Sequence, residues 1–148
     1  MKHQRGAYAV EFIVTFLVFF SVAMIAIEVS RYFLVRSMLD FKFREMVYDS
    51  RTDAKKSVEY YVDRHFTDRF YFSRKNVTVT AKNCEDLEAY SDGKCSSGKG
   101  FQQYIVRYEM KYSFTPIVPI YLPDGLRQWD YRSVVVMRNE PDFSGGQW

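Results

Sequence analysis

The chain has 148 residues, a formal net charge of +3 and 18% aromatic residues, with 12 Tyr and 13 Phe. So small a charge, two units of which are Lys2 and Arg5, argues against a nucleic-acid partner. Setting aside a membrane span leaves roughly 120 residues, enough for one small domain but not two.

Residues 7–27 carry a single charge, Glu11, and residues 12–27 carry none. At about 1.5 Å per helical residue, roughly 20 apolar residues cross a hydrocarbon core of about 30 Å, so this stretch is long enough to span. A removable signal peptide fits poorly. The apolar run exceeds the usual length of about 7 to 15 residues, and no small-x-small site precedes a polar start after Ile27. The sequence that follows, Glu28-Val29-Ser30-Arg31-Tyr32-Phe33-Leu34-Val35-Arg36, keeps helical character without a break. Lys2, His3 and Arg5 before the span favour a cytoplasmic N-terminus with the remainder outside. Arg31 and Arg36 on the far side weaken that bias, and Glu28, three residues before Arg31, offsets one of them in part.

Beyond the span, Val35, Leu39, Phe43, Met46 and Val47 recur with a helical period, so the first helix is expected to continue as an amphipathic rod to about Tyr48. Counted from Ala7, that rod is roughly 60 Å long. Ser50-Arg51-Thr52-Asp53 supplies capping residue types for a second helix, whose apolar face is Val58, Tyr61, Val62, Phe66 and Phe70. The period then changes from 3.6 to 2. Val77, Val79 and Ala81 alternate with Thr78 and Thr80 in a short strand. Tyr104, Val106, Tyr108, Met110, Tyr112 and Phe114 alternate with Ile105, Arg107, Glu109, Lys111 and Ser113, which predicts a long strand with one wet face. Thr115-Pro116 ends it, Leu122-Pro123-Asp124-Gly125 has the composition of a turn, and residues 131–138 read as a last strand. The fold class is therefore α+β, with helices covering one face of an antiparallel sheet of about three strands.

Cys84 and Cys95, the only cysteines, bracket ten residues rich in Gly, Ser, Asp and Lys, which predicts a disulfide in an oxidising compartment. The alternatives are two free thiols or half a metal site, for which the chain's two histidines, His3 and His65, offer little. Asn76-Val77-Thr78 matches a glycosylation sequon, but matches of three residues are common. Pro116-Ile117-Val118-Pro119 fits a PxxP pattern and more simply turns the chain off the sheet. His65 reads as a surface or core residue. No nucleophile, acid and base grouping stands out, nor a phosphate loop, so no enzyme and no cofactor are expected.

Glu11 remains to be explained, since a carboxylate at the centre of a span costs roughly 2.5 to 3.5 kcal/mol and normally has a partner or a function. Arg5-Gly6-Ala7-Tyr8-Ala9-Val10-Glu11-Phe12, followed by the long apolar helix, resembles the processing site of type IV pilin-like proteins. Within that superfamily it is similar to the minor pseudopilins of the Tad (tight adherence) pilus, the TadE/TadF type. Tyr112-Ser113-Phe114-Thr115-Pro116-Ile117-Val118-Pro119 and Ser133-Val134-Val135-Val136-Met137-Arg138-Asn139-Glu140 resemble the paired-proline motif and terminal strand of those proteins.

The resemblance implies cleavage between Gly6 and Ala7 by a prepilin peptidase, with Glu11 as fifth mature residue followed by Phe12. It also implies a leader at 1–6, a membrane and rod helix at 7–48, and an outward domain at 49–148. Glu11 would pair with the new Ala7 amine of its own helix or a neighbour's; the plainer reading is a glutamate snorkelling to headgroups. The implied partners are the inner membrane, the pilus assembly platform, other minor pilins and the major pilin. The competing expectation is a single-span anchored sensor or ligand-binding protein.

Overall fold

The computed structural model describes residues 4–52, 56–69, 72–116 and 129–140. One helix, α1 (Gln4–Thr52), runs unbroken through 49 residues, roughly 73 Å. After it come α2 (Val58–His65), a 3₁₀ turn (Arg74–Asn76), β1 (Val77–Cys84), α3 (Leu87–Ser91), β2 (Ser96–Ser97), β3 (Ile105–Phe114) and β4 (Trp129–Arg138). The strands form one antiparallel sheet in the order β2-β1-β3-β4. The class is α+β, as the change of period predicts.

The upper half of α1 supplies the core. Val35, Leu39, Phe43, Met46 and Val47 are all at most 3% exposed and pack against Val106, Tyr108, Met110, Tyr112 and Phe114 of β3. Each fully buried side chain of this kind contributes about 1.5 to 3 kcal/mol. Tyr108 brings a phenol into this core, and its hydroxyl lies 2.7 Å from Ser50 Oγ, so the buried group is satisfied. Burial pushes that phenol's pKa up, and the Ser50 contact opposes the shift.

Several element boundaries differ from expectation. α1 continues past Tyr48 to Thr52 because Ser50 is fully buried inside it, so Ser50 cannot cap a second helix. Ser57 does that instead, accepting from Tyr60 N–H at 3.3 Å. α2 is only eight residues long and stops at His65; Phe66 ends it, still buried, with its ring centroid 6.2 Å from that of Phe72. Backbone bonds between Arg69 and Phe72, both 2.9 Å, turn the chain back toward β1 there.

The sheet has four strands where about three were expected, because residues 96–97 add a short ribbon against Lys82 and Asn83; β1 itself runs on to Cys84 through its pairing with Ile105 of β3. Gly100 permits the return from that ribbon. Its φ is +64°, and a Cβ there would meet Asn83 at 2.6 Å. β4 starts two residues early, at Trp129, which pairs with Phe114. Asp53, Phe70, residues 117–119 of the paired-proline motif and the turn at 122–125 lie outside the described residues.

Candidate functional site

The candidate site is α1 itself, where two environments meet on one helix. Residues 8–22 are exposed on every side, and the helix is long and apolar enough to cross a membrane. Two hydroxyls of this half of the helix are satisfied locally: Ser21 Oγ donates to Leu17 O and Ser30 Oγ to Ala26 O, both at 2.8 Å.

Gly6 and Ala7 lie within the helix, which starts at Gln4. Ala7 and Glu11 are four residues apart, hence on one face of α1. Glu11 is exposed. Phe12 heads an aromatic ladder with Phe16 and Phe20, whose successive ring centroids are 6.2 and 6.0 Å apart. These rings are 51–70% exposed and form a ridge along the span.

Where the span ends, a collar fastens the helix to the sheet. Glu28 is 2% exposed and its Oε2 lies 3.5 Å from Arg31 Nε. Arg31 Nη2 donates to Thr115 O at 2.8 Å, and the guanidinium stands 4.5 Å from the Phe114 ring centroid. Tyr32 meets Phe114 and Trp129 edge-on at 5.4 and 5.2 Å. The i,i+3 pairing of Glu28 and Arg31 is visible in sequence; the burial of Glu28 and the contact of Arg31 with the end of β3 are not. Arg31 therefore acts as a bolt between rod and sheet as well as a flanking charge.

Above the collar, one flank of α1 stays uncovered. Phe33, Leu34, Phe41 and Tyr48 are 53–67% exposed and Met38 is 39% exposed, beside the stripe that fills the core. Nearby, Val35, Met38, Lys42, His65, Phe66 and Arg69 help to line a cleft of about 280 Å³. His65 is held there by Asp49, Nε2 to Oδ2 at 2.9 Å, which is a structural contact between α1 and α2. Among the described residues no group of three or more His, Cys, Asp or Glu side chains has metal-site geometry.

Away from the helix, Cys84 and Cys95 are joined by a disulfide, Cα to Cα 4.5 Å, which closes the loop between β1 and β2.

With that geometry in place, comparison with known proteins gives one match. Residues 6–41 fit the family model of TadE-like proteins. That segment is TadE-like. Among curated proteins and among solved structures, nothing matches the chain. The TadE-like segment begins at Gly6, crosses the whole span and the collar, and ends at Phe41, before the sheet starts. The match relates the chain to the Tad pilus and agrees with the resemblance to minor pseudopilins carried by residues 5–12. The single apolar helix of the TadE-like segment is compatible with a single-pass membrane anchor.

Proposed function

We propose that the chain is a minor pilin of a Tad-type adhesion pilus, cut between Gly6 and Ala7 by a prepilin peptidase and assembled through α1. The observation that carries this reading is the TadE-like segment with Glu11 fifth from the cut, heading an apolar helix. Before cleavage Glu11 sits inside a helix that starts upstream. Afterwards the Ala7 amine lies one helical turn away, on the same face, and a carboxylate near a helix N-terminus also meets the positive end of the helix dipole. Either that amine or a neighbouring subunit's then neutralises a charge that hydrocarbon would penalise.

Assembly gives the exposed flank of α1 a use as well. Leu34, Met38, Phe41 and Tyr48 prolong the apolar surface above the span, so a helix leaving the bilayer for a filament still has an apolar strip to bury. In this reading the N-terminus is cytoplasmic, the sheet domain lies outside the inner membrane, and the assembly platform and the other pilins are the partners. A single-span ligand-binding protein would instead use the cleft beside Met38 and keep its leader.

Intact mass of protein recovered from its native membrane separates the two. The pilin reading expects a chain that starts at Ala7, with Gly6→Val retaining the leader because a branched side chain obstructs the scissile position. Glu11→Ala is expected to be inserted and cleaved yet to abolish pili, with Glu11→Gln nearly as poor. Mature protein with residues 1–6 intact would refute processing, and normal piliation by Glu11→Ala cells that need the wild-type protein would refute the carboxylate's role.

A further inference from the structure

The sheet has a second face, which α1 and α2 do not cover. Lys82 from β1, Arg107 and Lys111 from β3, and Arg132 and Arg138 from β4 share it, among the described residues, with two carboxylates, Glu109 and Asp130. The face therefore keeps a net charge of +3. Glu109 Oε2 sits 2.7 Å from Arg132 and 3.8 Å from Arg107, and Oε1 sits 3.6 Å from Lys111. One carboxylate cannot neutralise three cations. Among them lie Val134 and Val136, 42% and 45% exposed, in register with Glu109 and Arg107.

The loop closed by the disulfide has the opposite character. Between Cys84 and Cys95 stand Glu85, Asp86, Glu88 and Asp92 against the single Lys94, a net charge of −3, and all five are exposed. Leu87, 71% exposed, rises at its centre. The disulfide and the Asp86 cap, which accepts from Ala89 N–H at 2.7 Å, give this knob a defined shape without covering its carboxylates. Among the described residues no hydrogen bond or ion pair joins the knob to the basic face; Asp92 pairs with Lys94 inside the loop and Glu85 accepts from Tyr104 Oη.

We propose that the bare sheet face is the docking surface for a second copy of this chain, whose acidic disulfide knob seats on it. The charges are opposite in sign and equal in size, and each patch has an exposed apolar residue, Leu87 against Val134 and Val136. The knob follows the end of β1 at Cys84, close to Lys82, Arg107 and Arg138, yet among the described residues no hydrogen bond or ion pair joins it to its own face. That end of the sheet is opposite the Phe114–Trp129 end bolted to α1 at the collar. Knob and face are different surfaces, so the contact is head-to-tail, and such contacts propagate as open stacks unless the rotation closes a ring. The contact involves only the sheet domain and holds whether or not the chain is cut after Gly6.

The test uses the full-length protein in non-ionic detergent, followed by sedimentation at low and high salt. Wild type is expected to self-associate at low salt and to dissociate as added salt shortens the screening length from roughly 30 Å to below 10 Å. Lys82→Glu with Lys111→Glu makes the face net negative; Glu88→Lys with Asp92→Lys makes the knob net positive. Each double variant alone is expected to need at least about tenfold more protein to associate. An equimolar mixture of the two is expected to associate again, because each supplies the complement the other lacks. Circular dichroism matching wild type shows that the variants fold.

Association that is insensitive to salt and to both reversals would place the contact in the apolar helix and overturn the proposal. So would a mixture that fails to recover, or a wild-type protein that is monomeric at low salt yet held on a polyanionic resin through Lys82 and Lys111, which would give the face to a different acidic partner.

Discussion

Two halves of α1 have similar length and opposite rules. From Tyr8 to Val22 every side chain is exposed and nearly all are apolar, so burial there shows no period. From Glu28 onward burial recurs at Val35, Leu39, Phe43, Met46 and Val47, while Arg44, Glu45 and Tyr48 face outward. The backbone is the same helix throughout; what changes is the surroundings. Hydrocarbon on all sides asks for apolar residues on all sides, whereas a sheet on one side and water on the other asks for a stripe. The collar at Glu28, Arg31 and Tyr32 stands at the change, with Arg31 turned into the domain.

The sharpest way to break this comparison is to truncate one aromatic in each half. Phe43→Ala opens a cavity in a fully buried site and is expected to cost about 3 to 5 kcal/mol, read as a lowered unfolding midpoint of the full chain in detergent. Phe16→Ala, at a position 53% exposed with no domain contact, is expected to leave that midpoint unchanged. Equal effects from the two would mean that the halves are not independent.

A smaller loss is expected when the sheet alone is loosened. Replacing Cys84 and Cys95 together by Ser removes a short covalent loop and is expected to lower domain stability by about 2 to 3 kcal/mol. The span should stay helical throughout, so far-UV circular dichroism at the new midpoint would retain the contribution of the lower half. Loss of all helix in one step would show the rod to depend on the sheet along its whole length.

The smallest effect is expected from acid acting on the upper half. The Lys42 ammonium, 2.7 Å from Glu45 Oε2, holds the Glu45 carboxyl below its usual range. A depressed folded-state pKa means that the pair's stabilisation is present above about pH 4.5, the ordinary carboxyl value, and is lost as the pH falls through the lowered one. The pair is solvent-exposed and weak. Unfolding midpoints of wild type and Glu45→Gln should therefore differ slightly at neutral pH and converge in acid; a gap that widens in acid would contradict the assignment.

How far these features can be read without coordinates follows the range of the interactions behind them. The rod's stripe, the five inward residues of β3 from Val106 to Phe114 and the class change from helix to sheet all rest on periodicity, and each appears where its period places it. Boundaries failed where a distant residue decided them. Ser50 has the composition of a helix cap, yet Tyr108, 58 positions later, draws it into the core and prolongs α1. Residues 96–97 carry no strand pattern; only the pairing with Lys82 and Asn83 makes them a strand. Within the candidate site, the placement of Gly6, Ala7, Glu11 and Phe12 along one helix follows from local spacing, while the Arg31 contact with Thr115 spans 84 positions and is invisible locally.

The sequence by itself determined the elements whose cause is local: a span long enough for a bilayer, a carboxylate one turn from Ala7, a rod with one apolar stripe and a strand with one wet face. Hydrophobic period and helix pitch act over a few residues, so neighbours along the chain suffice to specify them. Tertiary structure alone decided the rest. It set which end of the sheet receives the rod, and it buried Glu28 and Ser50. It also gathered cations from three strands on one face and put the acidic loop at the sheet end away from the collar. Those placements depend on strand register and on helix–sheet packing between residues far apart in sequence, where the deciding term is complementary surface and charge.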